Sequence, residues 1–360
     1  MTILFYLSAF LFSLGQLGRI SFFGQQVNFY LYEITLVSSL IFLISKHKSK
    51  PITDAWKNFR AIFIFLLVLL ISLIPEWLKY YFFENAVAFL YFFRLLIYFS
   101  YFIYLRYHVK KDGQFSKTIK KGIFTLAVLT IISTLIQYFL YPDLRNLLYL
   151  GWDPHLYRTF GVFFDTSISA AIFGILFLTI NQPVIKIIYL ILIALSFSRA
   201  IYLGLSLTLI YIFIQKKQFK KILLFLLFFI TLVFFIPKPA GEGVNLKRFY
   251  SITSRGQDYL QGVNLWKNKP LLGFGYNRIR YIKNSESVHS GATFSSSFLT
   301  ILVSSGILGL FGFLGVLGRL GKINKISKLL IIFLSIVSLF DNVLLHPFIL
   351  FLLLTNLSYK

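Results

Sequence analysis

The sequence predicts an all-α polytopic membrane protein of about 12 transmembrane helices with one long extracytoplasmic loop. Two observations carry that expectation. Hydrophobic residues make up 58% of 360 and charged residues only 13%, and apolar runs repeatedly reach the length that crosses a hydrocarbon core about 30 Å thick. Between the runs lie basic clusters: KHKSK at 46–50, Lys110 to Lys121, KKQFKK at 216–221, and Arg319 to Lys328. Cytoplasmic loops are enriched in Lys and Arg, so all four clusters belong on one side of the membrane.

Helices are expected near 3–17, 28–45, 59–75, 83–105, 122–140, 162–180, 187–198, 200–215, 222–236, 294–318, 329–341 and 343–357. Each must be helical because lipid offers no partner to a backbone amide. Met1 to Phe12 lacks a basic start and a small-residue cleavage site, so the first helix is expected to stay. From Ile187 to Ile214 the only charge is Arg199, in SFSRAIYLGLS. One span here would flip everything downstream and export two basic clusters; a turn at Ser198 and Arg199 keeps them inside. The pieces are then short for full crossings, a mismatch that tilted helices inside a bundle tolerate. Asn181-Gln182-Pro183 supplies the preceding inner turn.

This parity makes residues 1–360 a single transmembrane domain with both termini cytoplasmic. Residues 237–293 form an extracytoplasmic loop between spans 9 and 10, opening on PKPAGEG and holding amphipathic stretches such as DYLQGVNLW that suit the membrane surface. No internal repeat is visible. The absence of cysteine removes disulfides, thiolate nucleophiles and sulfur-ligated metals.

The net charge of +24 matters most where the charge rule disfavours it. Arg145, Arg158, Arg199, Arg255, Arg278 and Arg280 all fall on the outer side, together with several lysines. Such a surplus points to an anionic ligand, although scattered lysines are explained as well by lipid headgroups. Guanidinium forks match phosphate oxygens, so arginines converging at a membrane surface suit a lipid diphosphate. Arg94, in FLYFFRLLIYF, sits within the fourth span, where a charge costs at least about 2.5 kcal/mol. It should face the bundle interior, against Glu33, Asp341 or a substrate phosphate.

Three segments resemble a known family. YRTFGVFFDTS at 157–167 and LSFSRAIYLGL at 195–205 are similar to motifs of the O-antigen ligase and Wzy-type polymerase superfamily. So is the stretch from Arg255 through LWKNKPLLGFGYN to FLTILVSSGILGL, and GQLGRISFFGQQVNFYLYEI looks like that family's first outer loop. The resemblance implies a GT-C-like fold and an undecaprenyl-diphosphate-linked oligosaccharide as donor. It implies transfer to a hydroxyl of a glycan, lipid or protein acceptor at the outer face of the cytoplasmic membrane. It also implies that Arg158, Arg199 and Arg255 hold the diphosphate. Arg94, Arg278 and Arg280 are further possible substrate contacts. A loop histidine is implicated in activating the acceptor; the family register falls here on Ser295 and Ser296, and the nearest histidine is His289.

His289 is tuned near pH 6.5 and is the first candidate base. Asp165 either serves as a base or caps a helix N-terminus. His155 is a third candidate; Asp341 and His346 frame the last outer turn as acceptor contacts at most. The Gly273-Phe274-Gly275 run is an incomplete GxGxxG with no strand before it, hence a tight turn. With no DxD pair and no HExxH spacing, the expected reaction uses no metal or other cofactor; the resemblance further implies that it inverts the anomeric centre and involves membrane lipids but no nucleic acid. The competing reading is a transporter or flippase of an anionic lipid-linked substrate, which is expected to show paired repeats.

Overall fold

A computed structural model describes residues 1–235, 250–283 and 292–359. Helices stand where the apolar runs predict them: α1 (Thr2–Phe12), α2 (Leu31–His47), α4 (Arg60–Ser72), α5 (Phe82–Lys111), α6 (Gly113–Leu140) and α7 (Thr166–Thr179). The series continues with α8 (Pro183–Leu195), α9 (Arg199–Gln215), α10 (Phe219–Phe235), α13 (Ser297–Gly321), α14 (Lys325–Ser338) and α15 (Pro347–Tyr359). Their starts have chemical causes. Asp112 caps α6, Asp165 caps α7 and Asn324 caps α14 through side-chain oxygens that accept backbone N–H groups. Glu33 reaches back 3.0 Å to the Tyr30 amide and fixes the start of α2.

Three features differ from the sequence expectation. Residues 19–30 form an antiparallel hairpin, β1 (Arg19–Phe22) with β2 (Val27–Tyr30), pairing Arg19 with Tyr30. A short helix α3 (Lys50–Asn58) precedes α4 and is bent 95° from it. Among the described residues only α5, α6 and α13 are long and apolar enough to cross a membrane by themselves, or four spans if α3 and α4 count as one. Several of the remaining apolar helices run 10–17 residues, so the order of helices agrees with the expectation while many fall short of a full crossing. The long loop contributes α11 (Tyr250–Asn268), which packs on α13, and the single turn α12 (Ile279–Ile282).

The core runs along α7 and α15. Ile168 to Leu176 and Phe348 to Ser358 are buried without interruption, as expected of helices apolar on all sides. Around α15, Phe12, Tyr32, Phe348 and Phe351 pack ring against ring at 5.2 to 5.6 Å.

The basic clusters meet at one end. Tyr104 donates to the Lys48 carbonyl at 2.7 Å, Lys110 pairs with Asp54 at 3.4 Å, Arg319 donates to the Asn58 carbonyl, and Lys328 lies 5.2 Å from the Tyr211 ring near the foot of α9. At the opposite end the hairpin, residues 151–155, α11, α12 and the α14–α15 connection surround a cavity of about 790 Å³.

Two breaks in helices build that end. Between α8 and α9 the chain turns through Ser196, Phe197 at φ +49° and Ser198. The α8 carbonyls exposed there are taken up by the neighbouring segment: Thr159 donates to Leu192 and Leu195, and Arg158 Nε to Ser196 at 2.7 Å. In α13 the break is Gly306, at φ 66° and ψ −167°. Residues 270–275 insert there, with Phe274 and Gly275 donating to the carbonyls of Val303 and Ser304, and Ile307 donating to Pro270. A Cβ on Gly306 would lie 2.1 Å from the Leu271 oxygen, and one on Gly273 would lie 2.4 Å from the Val303 oxygen. The glycine run is thus a splice between backbones, as the turn reading expects, and not a phosphate loop.

Candidate functional site

Arg255, on α11, donates from Nη2 to Asp341 Oδ1 at 2.6 Å. Asp341 lies in the α14–α15 connection, beyond the observed end of α14 at Ser338, whereas the sequence expectation made it the last residue of helix 329–341. Its burial pushes the carboxyl up to about 6, and Arg255 only partly counters that. Asp165, Ser167 and Arg158 also act on it. Arg199, the first residue of α9, feels both Arg255 and Asp341. Arginines from three separate parts of the chain therefore act on one half-buried carboxylate at the cavity end of the bundle, and only Arg255 bonds to it.

They do not share it equally. Of the three, Arg255 alone lines the cavity. Arg158 is 6% exposed and stands behind the wall, bonded to the α8–α9 turn. Asp165 lines the cavity, but its Oδ1 accepts from Ser167 and Ile168 at 2.7 and 2.9 Å, which is the capping alternative. His289 lies outside the described residues. His155, at φ 46°, and His346, whose ring lies 5.3 Å from Phe348, both line the cavity.

The other arginines separate by partner. Arg94 forms a two-point ion pair with Glu33, Nε and Nη2 each at 2.7 Å, and Tyr98 donates to the same carboxylate. Glu33 is thus its partner among the alternatives open from the sequence, though Arg94 still lines the cavity floor. Arg278 is fully buried and does not line the cavity: it donates to Leu73 and Asn85 and packs 4.7 Å from Tyr80. It braces the α4–α5 connection, since these groups take up both terminal nitrogens. Arg280 does line the cavity. Sequence reasoning missed a further pair: Asp258 accepts from Lys283 at 2.9 Å and from Ser295 at 2.6 and 2.8 Å, closing α11 against the start of α13. Among the described residues no group of His, Cys, Asp and Glu could hold a metal ion.

Cavity, broken helices and arginines together describe an apolar helical protein of the membrane type with a polar chamber at one end. Residues 184–314 match the family described as O-antigen ligase. That segment runs from the start of α8 into α13 and contains Arg199, Arg255 and the spliced glycine loop. The match bears out, over residues 184–314, the resemblance to the O-antigen ligase and Wzy-type superfamily. No curated protein matches the chain.

Proposed function

We propose that the protein is a glycosyltransferase that moves a glycan from an undecaprenyl-diphosphate-linked donor to an acceptor hydroxyl. The observation that supports this reading is the Arg255–Asp341 pair at the wall of a cavity of about 790 Å³, with Arg158 and Arg199 close enough to act on the same carboxyl. Asp341 is the anion that Arg255 holds in the structure, with Arg158 and Arg199 acting on it through space. A diphosphate offers more charge and more acceptor oxygens to the same forks.

In the proposed reaction the acceptor oxygen attacks the anomeric carbon from the face opposite the diphosphate, so the centre inverts. The bond to the departing phosphate oxygen breaks as the new glycosidic bond forms, through a sugar with oxocarbenium character. The bonding electrons leave with the lipid diphosphate, and the hydroxyl proton passes to a base, His289 or Asp165. Charge grows on the phosphate only as the bond breaks, so fixed guanidiniums favour the transition state over the bound donor. That is the part a divalent ion plays elsewhere, and the reaction is proposed to need none.

For the topology we propose that the lysine-rich end faces the cytoplasm, in keeping with the positive-inside rule, with about 12 crossings, some short or tilted within the bundle. Residues 1–360 then form one transmembrane domain in the inner membrane with both termini cytoplasmic. The loop 237–293 and the cavity lie outside, where lipid-linked glycan and acceptor meet.

The test is incubation of purified protein in lipid nanodiscs with a lipid-diphosphate oligosaccharide. Longer lipid-linked chains with released lipid diphosphate are expected of a polymerase, and a glycosylated lipid or protein of a ligase. Movement of the donor across the bilayer with no new glycosidic bond would establish the flippase instead.

A further inference from the structure

Most buried or half-buried cations around the cavity have a carboxylate of their own. Arg94 has Glu33, Arg255 has Asp341, and Lys283 has Asp258. Arg280 is the exception. It is 6% exposed, and among the described residues no carboxylate lies within ion-pair distance of it. Its Nη1 donates to the Gln26 carbonyl at 3.2 Å, while its Nε is buried without a hydrogen-bond partner among those residues. A buried guanidinium without a counter-ion is costly unless something else supplies the negative charge.

The cavity that Arg280 lines is unfinished elsewhere too. Asn277 Nδ2 and Gln16 Oε1 are buried, lack hydrogen-bond partners among the described residues, and belong to residues lining the same cavity. Tyr30, Tyr91 and Tyr276 line it too. Amide groups that both donate and accept, set among aromatic rings, suit a ring of sugar hydroxyls in a concave site. Arg280 bonds to the hairpin at Gln26, whereas Arg255 bonds to Asp341 in the α14–α15 connection, so the two cations belong to different parts of the wall.

We propose that this wall is a subsite for an acidic sugar of the glycan, with the sugar's carboxylate on Arg280 and its hydroxyls on Asn277 and Gln16. The inference rests on the transferase reading and narrows its substrate to glycans that carry a uronic acid. Two arginine centres then divide the labour: the Asp341 cluster takes the diphosphate and Arg280 sets which sugar is accepted.

The experiment compares binding of two disaccharides, one of glucose alone and one carrying glucuronic acid, to the full-length protein in nanodiscs by titration calorimetry. The acidic disaccharide is expected to bind about tenfold more tightly, equivalent to about 1.4 kcal/mol. Arg280→Gln should erase that preference and leave the neutral disaccharide unchanged, whereas Arg255→Gln should keep it. Equal binding of both sugars by the wild-type protein overturns the proposal, and that comparison needs no variant. A preference that survives Arg280→Gln also overturns it, as does a fall in both affinities together, which marks Arg280 as a brace for the hairpin. Undecaprenyl diphosphate without sugar serves as a separate probe. If Arg255→Gln leaves its binding intact, the transferase reading fails whatever Arg280 does.

Discussion

Arg255 and Asp341 lie 86 residues apart in sequence and 2.6 Å apart in space. Their contact ties the long loop to the α14–α15 connection at the wall of the cavity. Arg255→Ala should lower transfer by about 10²-fold or more with expression unchanged, as expected on removing a donor aimed at developing charge. Transfer rates on matched amounts of purified protein give the check. Loss of folding instead would make the pair structural.

Asp341 should set the pH dependence of donor binding. Its carboxyl is raised from 3.8 to about 6, so burial disfavours the charged form. The ionised folded state is less stable by up to about 3 kcal/mol than it would be with an unshifted carboxyl. Stability should therefore fall as pH rises from about 4 through about 6. Over the same interval the arginines gain a competing anion, so binding of a lipid diphosphate diester should weaken as pH rises. Asp341→Asn is expected to flatten that dependence. A wild-type affinity independent of pH between 5 and 8 contradicts it.

Gly306→Ala should destabilise the protein by about 1–3 kcal/mol from its backbone conformation alone, with the clash against Leu271 added. Thermal unfolding in detergent is the measurement, and a melting temperature equal to wild type would show that the splice is not rigid. Gly318, where an added Cβ meets nothing within 4 Å, is the matched control.

Removing one partner of the Glu33–Arg94 pair should cost about 3–5 kcal/mol, because it leaves a buried charge alone. Replacing both by leucine should recover much of that stability. If the double variant folds but transfers nothing, Arg94 contacts substrate as well as Glu33.

Much of this arrangement is legible in the sequence because charge in an apolar run is conspicuous. Arg199 betrays the α8–α9 turn, and the basic clusters sort the loops to two ends before any coordinate is known. The hairpin is not legible, since RISF and VNFY are too short to separate from a loop by periodicity. Helix α3 hides because its polar residues follow directly on the KHKSK cluster and read as loop. Asp341 is visible as a residue but not as a hub: nothing local in FDNVLLHPF records that an arginine 86 positions earlier closes on it. Arg278 and Arg280 look alike in sequence, two positions apart, and only packing makes one a brace and the other a cavity wall.

The most direct measurement is the structure of the protein bound to a non-transferable lipid-diphosphate glycan in a nanodisc. The diphosphate is expected beside Asp341, within hydrogen-bond reach of Arg255 and Arg199 and backed by Arg158, with the glycan filling the cavity toward Arg280. A diphosphate held elsewhere, with the Arg255–Asp341 pair undisturbed and the cavity empty, would contradict the account.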